Sequence, residues 1–275
     1  MRNRSIKCIA LDLDGTLLNS QGTLSEVNRD ALMKAMEQGM HVVIASGRPF
    51  TSLPQEMLEI EGIEYAITSN GAAVYHVSSG EKVHGYLLET ASVEQILSLT
   101  KQEPIVYEAF VNGLAHADER YVNDPVKYGA KEMAIDYIQR TRIKEKDMLA
   151  FIREHQDVLD SVDIIVCSLE QKNRIVQLLE MVDGIYITSS VVQLVEIAHK
   201  DAGKHSGLKF LAKKLGFHTD EIIAFGNDDN DIDMLECAGY GVAVANASEG
   251  CLEVADVVTK SHDEHGVAEV ICKMF

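Results

Sequence analysis

The sequence predicts an α/β fold: a doubly wound, mostly parallel sheet whose chain is interrupted by an inserted α+β domain. Three observations predict it. Short, nearly continuous apolar runs alternate with amphipathic helix patterns over the first 75 residues, as expected of parallel strands covered on both faces. The same alternation returns near the end of the chain. Between them, roughly Val77 to Ser190, half-polar strands alternate with longer, charged helices.

The elements follow in order. Ile6 to Leu13 is a run of strand formers that leads into Asp12, Asp14 and Gly15. Thr23 or Ser25 can cap a helix with apolar positions at Val27, Ala31, Met33, Ala35 and Met36, and Gly39 stops it. His41 to Ala45 is a buried-strand run, broken by Ser46-Gly47-Arg48-Pro49. Gly62 precedes a strand at Glu64 to Thr68, followed by Ser69-Asn70-Gly71. In the middle, Val83 to Leu88, Ile105 to Val111 and Val162 to Ser168 read as strands, and Asp147 to Val158 as a helix. Near the end, His205 to Leu215 is an amphipathic helix closed by Gly216. Strands follow at Ile222 to Phe225, Tyr240 to Ala245 and Asp256 to Thr259.

Composition narrows the function. The chain has 275 residues, 46% hydrophobic and 25% charged, with 25 Lys and Arg against 43 Asp and Glu, for a formal charge of −18. This balance excludes chain-wide affinity for nucleic acid or anionic membranes, which need basic surfaces. Five scattered cysteines without a Cys-x-x-Cys pair argue against a disulfide framework or structural zinc. The N-terminal apolar run is too short for a signal segment, so a soluble cytoplasmic protein is expected, a monomer or small homo-oligomer. Gly203-Lys204-His205-Ser206 is no phosphate-binding P-loop, because Ala198 stands where glycine is needed and His205 where Ser or Thr is needed. His199, His205, His262 and His265 match no common zinc spacing.

Ligands of an open parallel sheet bind beyond the carboxyl ends of its strands, at a topological switch point. The residues just past the strand runs are Asp12 and Asp14; Ser46, Gly47 and Arg48; Ser69, Asn70 and Gly71; and Asn227, Asp228, Asn230 and Asp231. Asp12 and Asp14 are two apart and share one side of an extended segment. Two carboxylates ~4 Å apart repel by about 4 kcal/mol at an effective dielectric of ~20. Adding Asp228 and Asp231 calls for a cation, and oxygen donors of this kind suit Mg²⁺ with a substrate phosphate in its shell. Thr16 adds a hydroxyl and an N–H.

These residues carry a resemblance. Asp12-Leu13-Asp14-Gly15-Thr16-Leu17, Ser46-Gly47-Arg48, Lys204 at a helix start, and Gly226 to Leu235 resemble the four ordered motifs of the haloacid dehalogenase superfamily of phosphotransferases. The insertion between the second and third motifs resembles the Cof-type branch with a type IIB cap, as do Ser69-Asn70-Gly71-Ala72 and Val244-Ala245-Asn246-Ala247. The resemblance implies a Rossmann-like catalytic core of residues 1–79 and 191–275 and an inserted cap of residues 80–190 that closes over the site and chooses the leaving group. Tyr107, Glu108, His116 and Lys127 are candidates for that choice.

It also implies a Mg²⁺-dependent phosphatase of small phosphorylated metabolites: sugar phosphate, pyridoxal phosphate or flavin-precursor phosphate. Asp12 would be the nucleophile, Asp14 the acid and base, Ser46 a hydrogen-bond donor to the phosphoryl group, and Lys204 its counter-charge. Thr16, Gly47, Arg48, Asn70, Gly71 and Asn230 would bind substrate. The metal would be held by Asp12, the carbonyl of Asp14, and the fourth motif. That motif commonly opens Gly-Asp and here opens Gly226-Asn227. Either Asn227 is a neutral ligand, with Asp231 ligating or standing behind it, or Asp228 takes the position; Asn227 with Asp231 is the favoured set. His262 to Val267 also departs from the family's late Asn-x-x-x-Gly-Val. A phosphomutase, or a non-catalytic phosphometabolite-binding regulator, would use the same pocket.

Overall fold

The computed structural model describes residues 5–275. Among these residues the strands, in chain order, are β1 (Cys8–Leu11), β2 (His41–Ala45), β3 (Ile63–Thr68), β4 (Ala73–His76), β5 (Glu81–Gly85), β6 (Val106–Val111) and β7 (Leu114–Asp118). They continue as β8 (Arg142–Glu145), β9 (Leu159–Ile165), β10 (Ile185–Thr188), β11 (Leu194–His199), β12 (Ile222–Gly226), β13 (Tyr240–Ala243) and β14 (Val257–Val258). They form two sheets, of order β14-β13-β12-β1-β2-β3-β4-β5 and β10-β11-β9-β6-β7-β8. The architecture is α/β, with a main, mostly parallel sheet and a second, mixed sheet inserted into its chain.

The first sheet is parallel from β14 through β3 and turns antiparallel at β4. Its central strands are buried on both faces, which is why they read as continuous apolar runs. One face (Cys8, Ala10, Val43, Ala45, Ile222, Ala224) packs on Leu208, Leu211, Met234 and Cys251 from three helices. The helix Glu26–Glu37 packs against β2 and against the C-terminal helix Gly266–Cys272. Ser25 caps the first of these, accepting from the Asn28 N–H, and Gly39 follows its end at φ +83°. The chain runs β1 to β3 in one direction from the centre and β12 to β14 in the other. The reversal lies between β1 and β12, where an open sheet forms its ligand crevice.

The chain divides into two compact units: 1–48, 53–84 and 203–275 make the first, and 49–52 with 85–202 the second. The sequence expectation ended the insertion at residue 190. β11 instead pairs antiparallel with β9 and β10 in the second sheet, so the inserted unit runs on to Ala202. An apolar strand such as Leu194–His199 reads alike in either sheet. β9 begins earlier than expected because it runs through Asp160, Ser161 and Asp163, polar residues that are nonetheless buried. The helix expected from Asp147 to Val158 is shorter, Met148–Glu154, with Asp147 as its cap and His155 ending it.

All four cap candidates make contacts inside their own unit. Tyr107 is buried with its hydroxyl against Thr100 Oγ1 (2.5 Å), and buried Glu108 accepts two bonds from Arg142 (2.9 and 3.2 Å). His116 pairs with Glu145 at 2.8 Å, and Lys127 lies over the Tyr128 ring. Among the described residues no helix is long and apolar enough to cross a membrane.

Asn28 is the one polar side chain buried in its helix. It donates to the Leu17 carbonyl (2.9 Å) and accepts from the Ala268 N–H (3.2 Å), tying the first-motif loop to the C-terminal helix. Asn28→Leu leaves both backbone groups unpaired. We expect a loss of about 2–4 kcal/mol in urea-unfolding free energy; an unchanged midpoint would contradict this role.

Candidate active site

The β1 ladder continues one residue past the strand, where Asp12 N–H donates to the Phe225 carbonyl of β12 (3.0 Å). The chain then turns tightly: Thr16, Leu17 and Leu18 all donate to the Leu13 carbonyl (3.3, 3.1 and 2.9 Å). Gly15 sits at φ +77°, and a Cβ there would lie 2.7 Å from Asn227 Nδ2. Glycine is thus required both by conformation and by the fourth-motif loop crossing above it.

Lys204 is among the largest wholly buried side chains of the described residues. Its Nζ donates to Asp12 Oδ1 and to Asp231 Oδ1, each at 2.7 Å. Asp231 is fully buried as well, and its Oδ2 accepts from the N–H groups of Asn227 (2.9 Å) and Asp228 (3.2 Å). Both Asp231 oxygens are therefore engaged. The residue was expected among the metal-holding groups, but it is turned to the lysine and to the loop backbone. Gly226 makes room for it, since a Cβ there would lie 2.4 Å from Asp231 Cβ.

One ammonium thus faces two buried carboxylates. Burial pushes the Asp12 carboxyl up to about 7, Asp231 adding to the rise and Lys204 opposing it. Burial works against the charge on Lys204, yet Asp12 and Asp231 hold it above its ordinary value. The cluster is one positive charge short of balance.

The other oxygen of Asp12 marks where that charge belongs. The outer atom of the Asn227 amide lies 3.0 Å from Asp12 Oδ2, 2.9 Å from the Asp14 carbonyl and 2.8 Å from Thr16 Oγ1. With its NH₂ inward, the amide donates to all three. With its oxygen inward, it accepts from Thr16 and joins the Asp12 carboxylate and the Asp14 carbonyl in a trio of oxygens able to hold a cation. Such a set suits Mg²⁺. Among the described residues no three His, Cys, Asp or Glu side chains form a metal site; here only one donor is an ionisable side chain. Asp228, the other candidate, accepts from the Asp229 N–H and caps a short turn.

The remaining expected residues fall into three groups. Asp14 is 54% exposed and is gripped by the Arg48 fork at 2.6 and 2.7 Å, so Arg48 meets the carboxylate of the first motif. Ser46 is buried after β2, its hydroxyl accepting from the Arg48 N–H across Gly47 (3.1 Å). Asn70, Gly71 and Asn230 lie in a third cluster, where Asn230 Nδ2 donates to Asn70 Oδ1 (2.9 Å). Sequence reasoning assigned no role to Asn246. Its Nδ2 donates to the Gly15 carbonyl (2.8 Å) and its Oδ1 accepts from His262 N–H, steadying the loop that carries Asp14. The motif around Asn246 was visible in sequence, but its contact with Gly15 was not.

Asp231→Asn tests the charge arrangement. Its NH₂ must face either the lysine ammonium or two N–H donors. We expect a stability loss of about 2–4 kcal/mol and turnover at least about 10²-fold lower. Wild-type stability in a calorimetric scan would contradict the assignment.

A family model for haloacid dehalogenase-like hydrolase matches residues 9–271. Phosphatase YwpJ of Bacillus subtilis (strain 168) is 30% identical, covering 97% of this chain and 99% of its own length. The 5-amino-6-(5-phospho-D-ribitylamino)uracil phosphatase YcsE of the same organism is 27% identical over 97% and 94%. A solved haloacid dehalogenase-like hydrolase from B. subtilis superposes with a TM-score of 0.83 at 28% identity, covering 98% of this chain and all of the other. A sugar phosphatase of subclass IIB shares the fold at a TM-score of 0.81 and 20% identity, with 98% of each chain covered.

Proposed function

Since the chain belongs to the haloacid dehalogenase-like hydrolases, we propose that it works as a Mg²⁺-dependent phosphatase through a phosphoryl group carried on Asp12. The protein is a phosphatase acting on phosphoric monoesters of small metabolites. The observation that carries the mechanism is the buried Asp12–Lys204–Asp231 cluster, with Asp12 Oδ2, the Asp14 carbonyl and the Asn227 amide gathered beside it.

Mg²⁺ would be held by the Asp12 carboxylate, the Asp14 carbonyl and the Asn227 amide oxygen, and when bound it neutralises phosphoryl charge and fixes the substrate. Asp231 supports this set through Lys204 and the loop N–H groups. Asp12 attacks phosphorus in line, forming an O–P bond as the bond to the ester oxygen breaks. Asp14 gives the leaving oxygen a proton. It then takes one from water, which attacks phosphorus and frees Asp12. Lys204 aligns the Asp12 carboxylate and offsets the charge of the equatorial oxygens, and Ser46 donates to them. The exposure of Asp14, against the burial of Asp12, supports this division between proton carrier and nucleophile.

For substrate, we favour phosphorylated sugars or polyols, with pyridoxal phosphate and flavin-precursor phosphates in the same class. The relative named as a ribitylaminouracil phosphate phosphatase supports a polyol phosphate.

The test is p-nitrophenyl phosphate hydrolysis with and without Mg²⁺. Turnover should vanish in EDTA and return with Mg²⁺. Asp12→Asn should fall at least about 10³-fold. Asp14→Asn should lose turnover while its phosphate site still binds vanadate. Metal-independent phosphate release, or an active Asp12→Asn, would refute the mechanism. Slow phosphate release that needs a bisphosphate activator would favour the mutase.

A further inference from the structure

Three loops that carry the site's polar groups meet at one residue, Asn70. Its N–H donates to the Ser46 carbonyl (3.2 Å), and its own carbonyl accepts from the Gly203 N–H (2.8 Å). Its side-chain Oδ1 accepts from Asn230 Nδ2 (2.9 Å). Gly203 immediately precedes Lys204, and Asn230 immediately precedes Asp231. The residue therefore grips the chain next to both partners of the buried ion pair, and also at the serine of the second motif.

The backbone is shaped for this. Asn70 has φ 52° and ψ 37°, a left-handed conformation that asparagine tolerates better than other residues with side chains. Gly71 follows at φ +84°, so close to Gly203 that a Cβ would lie 2.0 Å from its carbonyl oxygen. Asn70 and Asn230 are 5% and 4% exposed, so their bond is made out of water, where a lost partner is not replaced.

We propose that Asn70 is a positioning residue for the phosphatase reaction. Through Gly203 and Asn230 it sets Lys204 and Asp231 against Asp12, and through Ser46 it holds the second motif in the same frame; it does not touch the substrate. The sequence predicts both Asn70 and Asn230 at the substrate; the bond between them uses one polar atom of each amide. A displacement of about 1 Å in such a frame costs on the order of 10²-fold in rate. The inference rests on Lys204 serving the phosphoryl group, as proposed above.

A double-mutant cycle tests it. Asn70→Gly keeps the left-handed backbone, and with it the bonds to Ser46 and Gly203, while removing the grip on Asn230; Asn230→Ala removes the other half. With p-nitrophenyl phosphate and Mg²⁺, each variant should lose about 10- to 100-fold in kcat with KM within about twofold, and the double variant should be no worse than the poorer single one. Asn70→Asp retains both the conformation and the acceptor, and should recover kcat severalfold over Asn70→Gly. Multiplying losses in the double variant, a raised KM at unchanged kcat, or wild-type kinetics would overturn the inference. Lys204→Ala, run in parallel, should be inactive; full activity there would remove the phosphatase mechanism and the inference with it, whereas the other failures remove the inference alone.

Discussion

A lysine ammonium sealed from water between two carboxylates sets the terms for the structure around it. Lys204 lies 2.7 Å from both Asp12 and Asp231, and all three are buried. Charges in such surroundings cost several kcal/mol each to desolvate unless they are paired and hydrogen-bonded. The fold meets this condition by surrounding them with backbone donors: Asp231 takes two N–H groups of its own loop. The pairing remains one charge short. Burial raises the Asp12 carboxyl and Asp231 adds to the rise, and the deficit gives a reason for the polar groups gathered at Asn227.

Topology makes this cluster possible. β1 and β12 are adjacent and parallel, with Asp12 continuing their ladder, so the first and fourth motifs leave the sheet side by side. The helix Lys204–Leu215 packs on the same sheet and begins at Gly203, anchored to the turn after β3. Glycines stand where loops cross without room for a side chain: Gly15 under Asn227, Gly71 against Gly203, and Gly226 beside Asp231. Each motif is thus a loop held by its neighbours. For this reason a bond such as Asn70–Asn230 can bear on the placing of Lys204 and Asp231. The acidic chain does not prevent phosphate binding if a cation and Lys204 reverse the sign locally.

Much of this was legible in the sequence because strand-end position is a sequence property. Four apolar runs, each followed by polar residues, located one sheet edge, and the observed main sheet has the predicted doubly wound character. Polar residues blurred strand limits: β9 was expected from Val162 but starts at Leu159, running through buried Asp160 and Ser161. The end of the inserted unit was misplaced because β11 has no feature that says which sheet it joins. Within the site, sequence located residues but not the directions of their side chains. Asp231 reads as another carboxylate near a metal, yet it faces a lysine 27 positions earlier. Asn70 and Asn230 are 160 positions apart, and no local pattern announces their bond.

The central claim is that Asp12 itself receives the phosphoryl group. The stereochemical course at phosphorus tests it most directly, using a monoester made chiral with oxygen isotopes and hydrolysed in isotopically labelled water. Two successive in-line displacements, first by Asp12 and then by water, predict net retention of configuration. Inversion would mean that water attacks the ester in a single step, and would contradict the account.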